Sequence, residues 1–220
     1  MGLETTSPLV TYSRESPNNS GPRVRPLTRI TPHCIVGHMS VESLGDYFSN
    51  SGLRASSNYG IDDSGCIGAY VGEECRSWCS SSADNDNKAI TIECASDSYA
   101  PFAMTDTVWD TLGDLCVDIC KRYGKKRLLW IPDRMESLAY QVAEDEMLLT
   151  VHRWFADTEC PGDWLMGRMG ELATLVTSRL SASKYDVVVL TTKSRRKAKR
   201  KVEELSLLGI PASIKKRPSA

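Results

Sequence analysis

An α/β fold is the class this 220-residue sequence predicts, and three stretches predict it. ITIECA, Ile90 to Ala95, alternates as a strand's period of two requires: Ile90, Ile92 and Cys94 point one way, Thr91 and Glu93 the other. Thr107 to Tyr123 repeats its apolar residues at helical spacing instead, with Val108, Leu112, Leu115, Cys116, Ile119 and Cys120 on one face. The chain then closes on a strand–helix–strand unit: YDVVVLTT, KSRRKAKRKVEELSLLG, IPASIKK. Strands alternating with helices argue for layered α/β packing, with sheet order left open.

Composition sets the bounds. With 41% hydrophobic and 25% charged residues, the chain is an ordinary globular protein, long enough for one sizeable core and a small appendage. No apolar run reaches membrane-spanning length, and Met1-Gly2-Leu3-Glu4 starts no signal peptide, so synthesis in a cytoplasm is expected. The eight cysteines are accordingly read as free thiols. Cys116 and Cys120 belong to a helical apolar stripe, and the Cys75/Cys79 spacing gives little ground for a metal. The net charge of −1 conceals an asymmetry: Lys184 to Ala220 carries +8 and the remainder −9. Two pieces with different jobs follow from that split.

Taken in order, residues 1–28 are rich in Ser, Pro, Asn and Thr and read as an extended arm. RITPHCIV, Arg29 to Val36, is a strand that Pro32 assigns to an edge or to the strand's start. Ser40 caps a short helix whose buried stripe is Val41, Leu44 and Phe48, with Glu42 in its first turn. Asn58 to Val71 is a hairpin turned at Asp63-Ser64-Gly65, and SSSADNDN after Trp78 is a surface loop. Lys121 and Arg122 suit the end of the Thr107–Tyr123 helix, and Gly124 closes it. RLLWIP is a short buried strand, Asp133 to Glu146 an acidic insertion, and Asp163 to Leu180 a second long helix.

Chemistry concentrates in TVHRWFADTECPGDWL, Thr150 to Leu165. His152, one of three histidines, and Cys160 come off a strand-like run into a Pro-Gly turn, placed to converge on one zinc ion. The competing reading is a buried structural cysteine beside an unrelated histidine, and spacing alone does not choose. Glu93 is a carboxylate within a strand that otherwise looks central; a solvent-facing or paired Glu is its ordinary explanation.

ITPHC, SSNYGI, the SWCSSS…NDN…ITIECASD block, LCVDICKR and VHRWFADTECPG together resemble phage endolysins of the type 2 N-acetylmuramoyl-L-alanine amidase fold, relatives of the peptidoglycan-recognition proteins. The resemblance runs from about Ser7 to Leu180. It implies a mixed central sheet flanked by helices, as residues 29–182, and a zinc held by His33, His152 and Cys160 with a fourth position open for water. It implies Glu93 as general base. Where many relatives have a second histidine after the first ligand this chain has Cys34, which is not assigned as a ligand. Where many have a lysine two positions before the last ligand it has Thr158, a hydroxyl without the ammonium's charge for the oxyanion. Tyr59, Trp78, Asn85 and Asn87 are candidates to line a glycopeptide groove, although Trp78 suits a core equally well.

The activity implied is peptidoglycan hydrolysis between N-acetylmuramic acid and L-alanine. The protein would be made in a host cytoplasm and act on the bacterial wall after release. A non-catalytic peptidoglycan receptor of the same fold is the first rival, but such receptors commonly lack the third ligand, and Cys160 is present. The second is a nucleic-acid binder using KSRRKAKRK, seven basic residues in nine, against which stands a merely solvated helix face. Residues 183–220 weakly resemble one βαβ half of a SPOR-type glycan-binding module. With their charge, they are expected to meet anionic wall polymers rather than nucleic acid.

Overall fold

The structure is a computed structural model that describes residues 6–181, 194–207 and 214. The chain divides into two compact units, Met1–Ala182 and Ser183–Ala220. Nine strands and six helices of the first unit are described: β1 (Tyr12–Ser13), β2 (Asn19–Pro22), β3 (Arg29–Cys34), α1 (Val41–Phe48), β4 (Tyr59–Ile61), β5 (Ile67–Ala69), β6 (Cys75–Ser77), α2 (Ala83–Lys88), β7 (Ala89–Cys94), α3 (Asp106–Arg122), β8 (Arg127–Leu129), α4 (Arg134–Ala139), β9 (Glu146–Leu149), α5 (Asp163–Met166) and α6 (Met169–Ser181). Seven strands form one mixed sheet, β1-β5-β4-β7-β3-β9-β8, and β2 pairs with β6 in a small second sheet. The expected mixed sheet flanked by helices is what forms.

The centre is the parallel pair β3 and β7, in register from Arg29↔Ala89 to Cys34↔Cys94. Alternation gives the pair two unlike faces. Ile30, Ile90, Ile92 and Cys94 are 0% exposed and join Val108, Leu112, Leu115, Ile119, Leu172 and Val176 of α3 and α6 in the main core. Each such aliphatic side chain contributes roughly 1.5–3 kcal/mol on burial. Thr31, His33, Thr91 and Glu93 lie on the other face, where Thr31 pairs with Thr91 and His33 with Glu93. The helices start where capping chemistry allows: Ser40 and Thr105 hydroxyls accept from Ser43 and Val108 N–H.

Several expectations are corrected. Pro32 lies in a central strand, not at an edge. The β9 ladder pairs only Arg29 and Ile30, so the missing proline N–H falls beyond its end. The SSSADNDN loop contains the helix α2, capped by Ser82, with Asp84 and Asp86 in the first turn and Lys88 in the last. It has no apolar stripe to announce it; buried polar Asn85 and Asp86 hold it down. The N-terminal arm is partly sheet, since β1 extends the large sheet along β5 and β2 pairs with β6. β8 is an edge strand with Arg127 exposed rather than a buried one. The acidic insertion contains α4, and the last long helix breaks at Gly167 into α5 and α6.

One buried charge is paired for structure. The Glu73 side chain is 0% exposed, and the Arg122 guanidinium grips both its oxygens at 2.6 Å, with the Tyr59 and Tyr123 hydroxyls donating to it. Arg122, 25% exposed, can turn to water if its partner goes, whereas Glu73 cannot. Arg122→Ala is therefore expected to cost about 3 kcal/mol in urea denaturation, and Glu73→Gln distinctly less. Equal costs would contradict this asymmetry.

In the second unit one helix is described, α7 (Arg195–Leu207). The two strands expected on either side of it lie, apart from Ile214, outside the described residues. No helix among the described residues is long and apolar enough to cross a membrane.

Candidate metal centre

His33 enters the site from the C-terminal half of β3, where alternation turns it to the same face as Glu93. His152 follows β9 in a short 3₁₀ turn, His152–Trp154. Cys160 is brought back to it by the intervening loop, where the Arg153 N–H donates to the Cys160 carbonyl at 3.0 Å. One donor atom from each of His33, His152 and Cys160 lies within 4.8 Å of the other two. The His33 Nδ1 is 3.4 Å from the Cys160 Sγ. A tetrahedral zinc with ordinary Zn–N and Zn–S lengths separates such atoms by about 3.6 Å.

The electrostatics suit a cation. Burial, reinforced by the neighbouring His152, holds His33 well below the usual histidine pKa; burial lowers His152 as well. Both imidazoles are thus neutral ligands at neutral pH, with no proton to displace. Cys160 is pushed strongly up by its hydrogen bond to Cys34 and by burial. Without an ion it stays a thiol, and holding one requires it to give up that proton. The donor set, two imidazoles and one sulfur, fits zinc.

Glu93 stands beside this set, its Oε1 4.0 Å from the His33 Nδ1 and its side chain 18% exposed. Burial pushes its carboxyl up to about 7, partly countered by the hydrogen bond from Cys79. Its Oε2 has no hydrogen-bond partner among the described residues. An adjacent cation would draw that pKa back down. Thr158 lies in the loop before Cys160, where its Oγ1 accepts from the Cys160 N–H at 3.2 Å. The hydroxyl proton remains available to a further acceptor.

The groove candidates divide. Tyr59 is 1% exposed with its hydroxyl on Glu73, and Asn85 is 0% exposed, so neither lines an open groove. Asn85 instead ties the sheet together: its amide donates to Thr31 and Ser80, and its oxygen accepts from Arg29 and Thr150. Trp78 is half-buried and donates to Ser20, while Asn87 accepts from the Val24 N–H, so both engage the N-terminal arm. His38, 53% exposed, stands apart from the donor set and pairs with Asp63 at 2.9 Å. Sequence reasoning missed Cys79 and Ser81, which touch Glu93 and His152. It also left Cys34 without a role, though its thiol hydrogen-bonds Cys160.

The fold has counterparts among known proteins. Residues 23–163 match the family model of the N-acetylmuramoyl-L-alanine amidases, and the chain belongs to that family. No curated protein matches the chain. Among solved structures it is similar to the Staphylococcus aureus hydrolase AmiA in complex with its ligand, with 12% identity and a TM-score of 0.57 over 80% of this chain and 84% of that one. The Drosophila peptidoglycan recognition protein SA superposes with 17% identity and a TM-score of 0.50 over 72% and 85%. A mutant form of PlyL does so with 15% identity and a TM-score of 0.51 over 76% and 98%. At such identities the likeness is one of fold, and a fold shared by a hydrolase and a recognition protein does not separate cutting from binding.

Elemental analysis of purified variants tests the donor set. His33→Ala, His152→Ala and Cys160→Ala are each expected to lose stoichiometric zinc, and His38→Ala to keep it. A His33→Ala protein with a full complement of zinc would remove His33 from the site.

Proposed function

We propose that the protein is a zinc-dependent peptidoglycan amidase that hydrolyses the bond between N-acetylmuramic acid and L-alanine. The observation that carries this reading is Glu93, a carboxylate raised to about 7 by burial and set 4.0 Å from a histidine of the metal set. Family membership supplies the class of bond. A receptor needs no poised base, whereas a hydrolase does.

His33, His152 and Cys160 hold the ion. Bound there, zinc supplies a Lewis acid that polarises the scissile carbonyl and acidifies water. Glu93 takes the proton from the attacking water as the new C–O bond forms at the lactyl carbonyl. It then returns that proton to the L-alanine nitrogen as the C–N bond breaks, so the amine leaves neutral. A buried carboxylate beside the metal set, with its Oε2 unpartnered among the described residues, is placed for both transfers. The Thr158 hydroxyl donates to the carbonyl oxygen as it gains charge, a weaker aid than an ammonium. The block resemblance supports an endolysin's role: synthesis in a phage-infected cytoplasm, then action on the wall after release.

Mass spectrometry of purified peptidoglycan digested with the protein identifies the bond cut from the end group released. Free L-alanine amino termini are expected. Glu93→Gln is expected to lose activity by a factor of about 10² or more with bound zinc unchanged. Near-normal hydrolysis by that variant returns Glu93 to an ordinary buried carboxylate.

The proposed partner of the second unit is an anionic wall polymer. Arg196, Lys197, Lys199 and Arg200 are exposed on the first half of α7, while Glu203 and Glu204 lie in the second. That order runs against the helix dipole, which favours acids first and bases last. It concentrates positive potential at one end, as binding a polyanion requires. A chain ending at Ser183 is expected to cleave soluble muropeptides but to sediment poorly with intact walls. Full-length binding should weaken between 0.1 M and 1 M salt, as the Debye length falls from ~10 Å to ~3 Å. Equal sedimentation of both chains would show that the basic helix serves something else, with nucleic acid the next partner to assay.

A further inference from the structure

Between β6 and α2 the chain forms a three-residue strap, Cys79-Ser80-Ser81, in which each residue is tied to a different group. Ser80 is the anchor. Its N–H and hydroxyl donate to the Asp86 Oδ1 at 3.1 and 2.5 Å, and the Cys79 N–H donates to Oδ2 at 3.1 Å. Asp86 is 2% exposed in the first turn of α2, so this clamp belongs to the core rather than the surface.

On either side of the anchor the strap reaches the metal centre. The Cys79 Sγ–H donates to the Glu93 Oε1 at 3.5 Å, the only hydrogen bond to that carboxylate among the described residues. The Ser81 Oγ and the His152 Nε2 hydrogen-bond at 3.2 Å. Ser81 holds a left-handed backbone at φ +59°, a conformation that a side chain disfavours and glycine would accept freely. Glycine, however, has no hydroxyl to offer the ring. Strain of this kind persists where surrounding structure imposes it, and it gathers at functional sites.

We propose that the strap is a positioning element for the site, with Ser81 fixing the ring of His152 and Cys79 fixing the carboxylate of Glu93. The proposal rests on the amidase reading and deepens it. A ligating imidazole needs its second nitrogen held, or the ring turns in the site and the ion is bound less tightly. With its Nδ1 turned to the ion, the His152 ring has its Nε2 held by Ser81; the His33 Nε2 has no such partner among the described residues. Glu93 needs a different kind of restraint. A strong donor would keep the carboxylate from accepting a proton, whereas a thiol, a weak donor, orients it without competing. Burial keeps the Cys79 proton in place, so the thiol stays a donor.

The test uses full-length protein and two independent readouts, zinc affinity by competition with a chromophoric chelator and steady-state kinetics on a muropeptide. Ser81→Gly relieves the backbone and removes the hydroxyl. It is expected to keep or raise the melting temperature while zinc affinity falls about tenfold or more. Ser81→Thr keeps the hydroxyl on a less favourable backbone, and is expected to melt lower yet bind zinc as wild type does. Wild-type zinc affinity in Ser81→Gly would overturn the role of Ser81. Cys79→Ala is expected to lower kcat with KM and zinc content unchanged, and Cys79→Ser, whose hydroxyl is the stronger donor, to recover only part of the loss. Because Cys79 could also join His33 and Glu93 as a ligand set, loss of zinc from either Cys79 variant would overturn its positioning role. A wild-type protein that holds zinc but cuts no peptidoglycan would sink the amidase reading and leave the Ser81 affinities decisive.

Discussion

The register of β3 against β7 governs the rest of the molecule. Six consecutive parallel pairs, from Arg29↔Ala89 to Cys34↔Cys94, set Thr31 beside Thr91 and His33 beside Glu93 on one face. The same register sends Ile30, Ile90, Ile92 and Cys94 to the other, against α3 and α6. A slip of one residue would turn His33 into the apolar core and its neighbours out to the site. The core therefore stabilises the arrangement that brings the metal set and the carboxylate together, and burial of that core is what holds the site's geometry.

Two kinds of buried ionisable group coexist, and their surroundings assign them different work. Glu73 is fully surrounded by donors, with Arg122, Tyr59 and Tyr123 on its oxygens, so its charge is satisfied and it ties distant segments together. His33 is buried almost as deeply and Glu93 is 18% exposed, but each keeps an unpartnered atom among the described residues, Nε2 and Oε2. Burial without pairing raises the Glu93 carboxyl and lowers the His33 imidazole. The first shift makes the Glu93 carboxylate a stronger base, and the second leaves a neutral imidazole able to bind an ion.

Legibility in the sequence followed the strength of local pattern. The ITIECA alternation, the α3 stripe and the Ser40 cap were readable because each is set by residues only a few positions apart. α2 was not, since its six residues carry no apolar period and depend on Asp86 clamping Cys79 and on Asn85 binding Thr150, 65 positions along the chain. Tyr59 and Asn85 looked like surface polar groups, but both are core residues with partners as distant as Glu73, 14 positions from Tyr59, and Thr150, 65 from Asn85. Cys79 showed only in a weak Cys75/Cys79 spacing and Ser81 had no role in the sequence reading, because their roles exist only where the strap meets β7 and the turn after β9.

What the sequence by itself determined was the α/β class, the alternation of β7 with Glu93 turned away from the apolar face, and the residue types suited to a zinc. Those follow from periods of 2 and 3.6 residues and from side-chain chemistry, which act within a short window. Tertiary structure alone decided that Pro32 lies in a central strand, and that Cys160 lies 3.4 Å from a histidine 127 positions earlier in the chain. It alone decided that a serine takes a left-handed backbone to reach His152. Such contacts depend on how separate strands and loops pack, and the chain carries no local mark of a neighbour that only folding supplies.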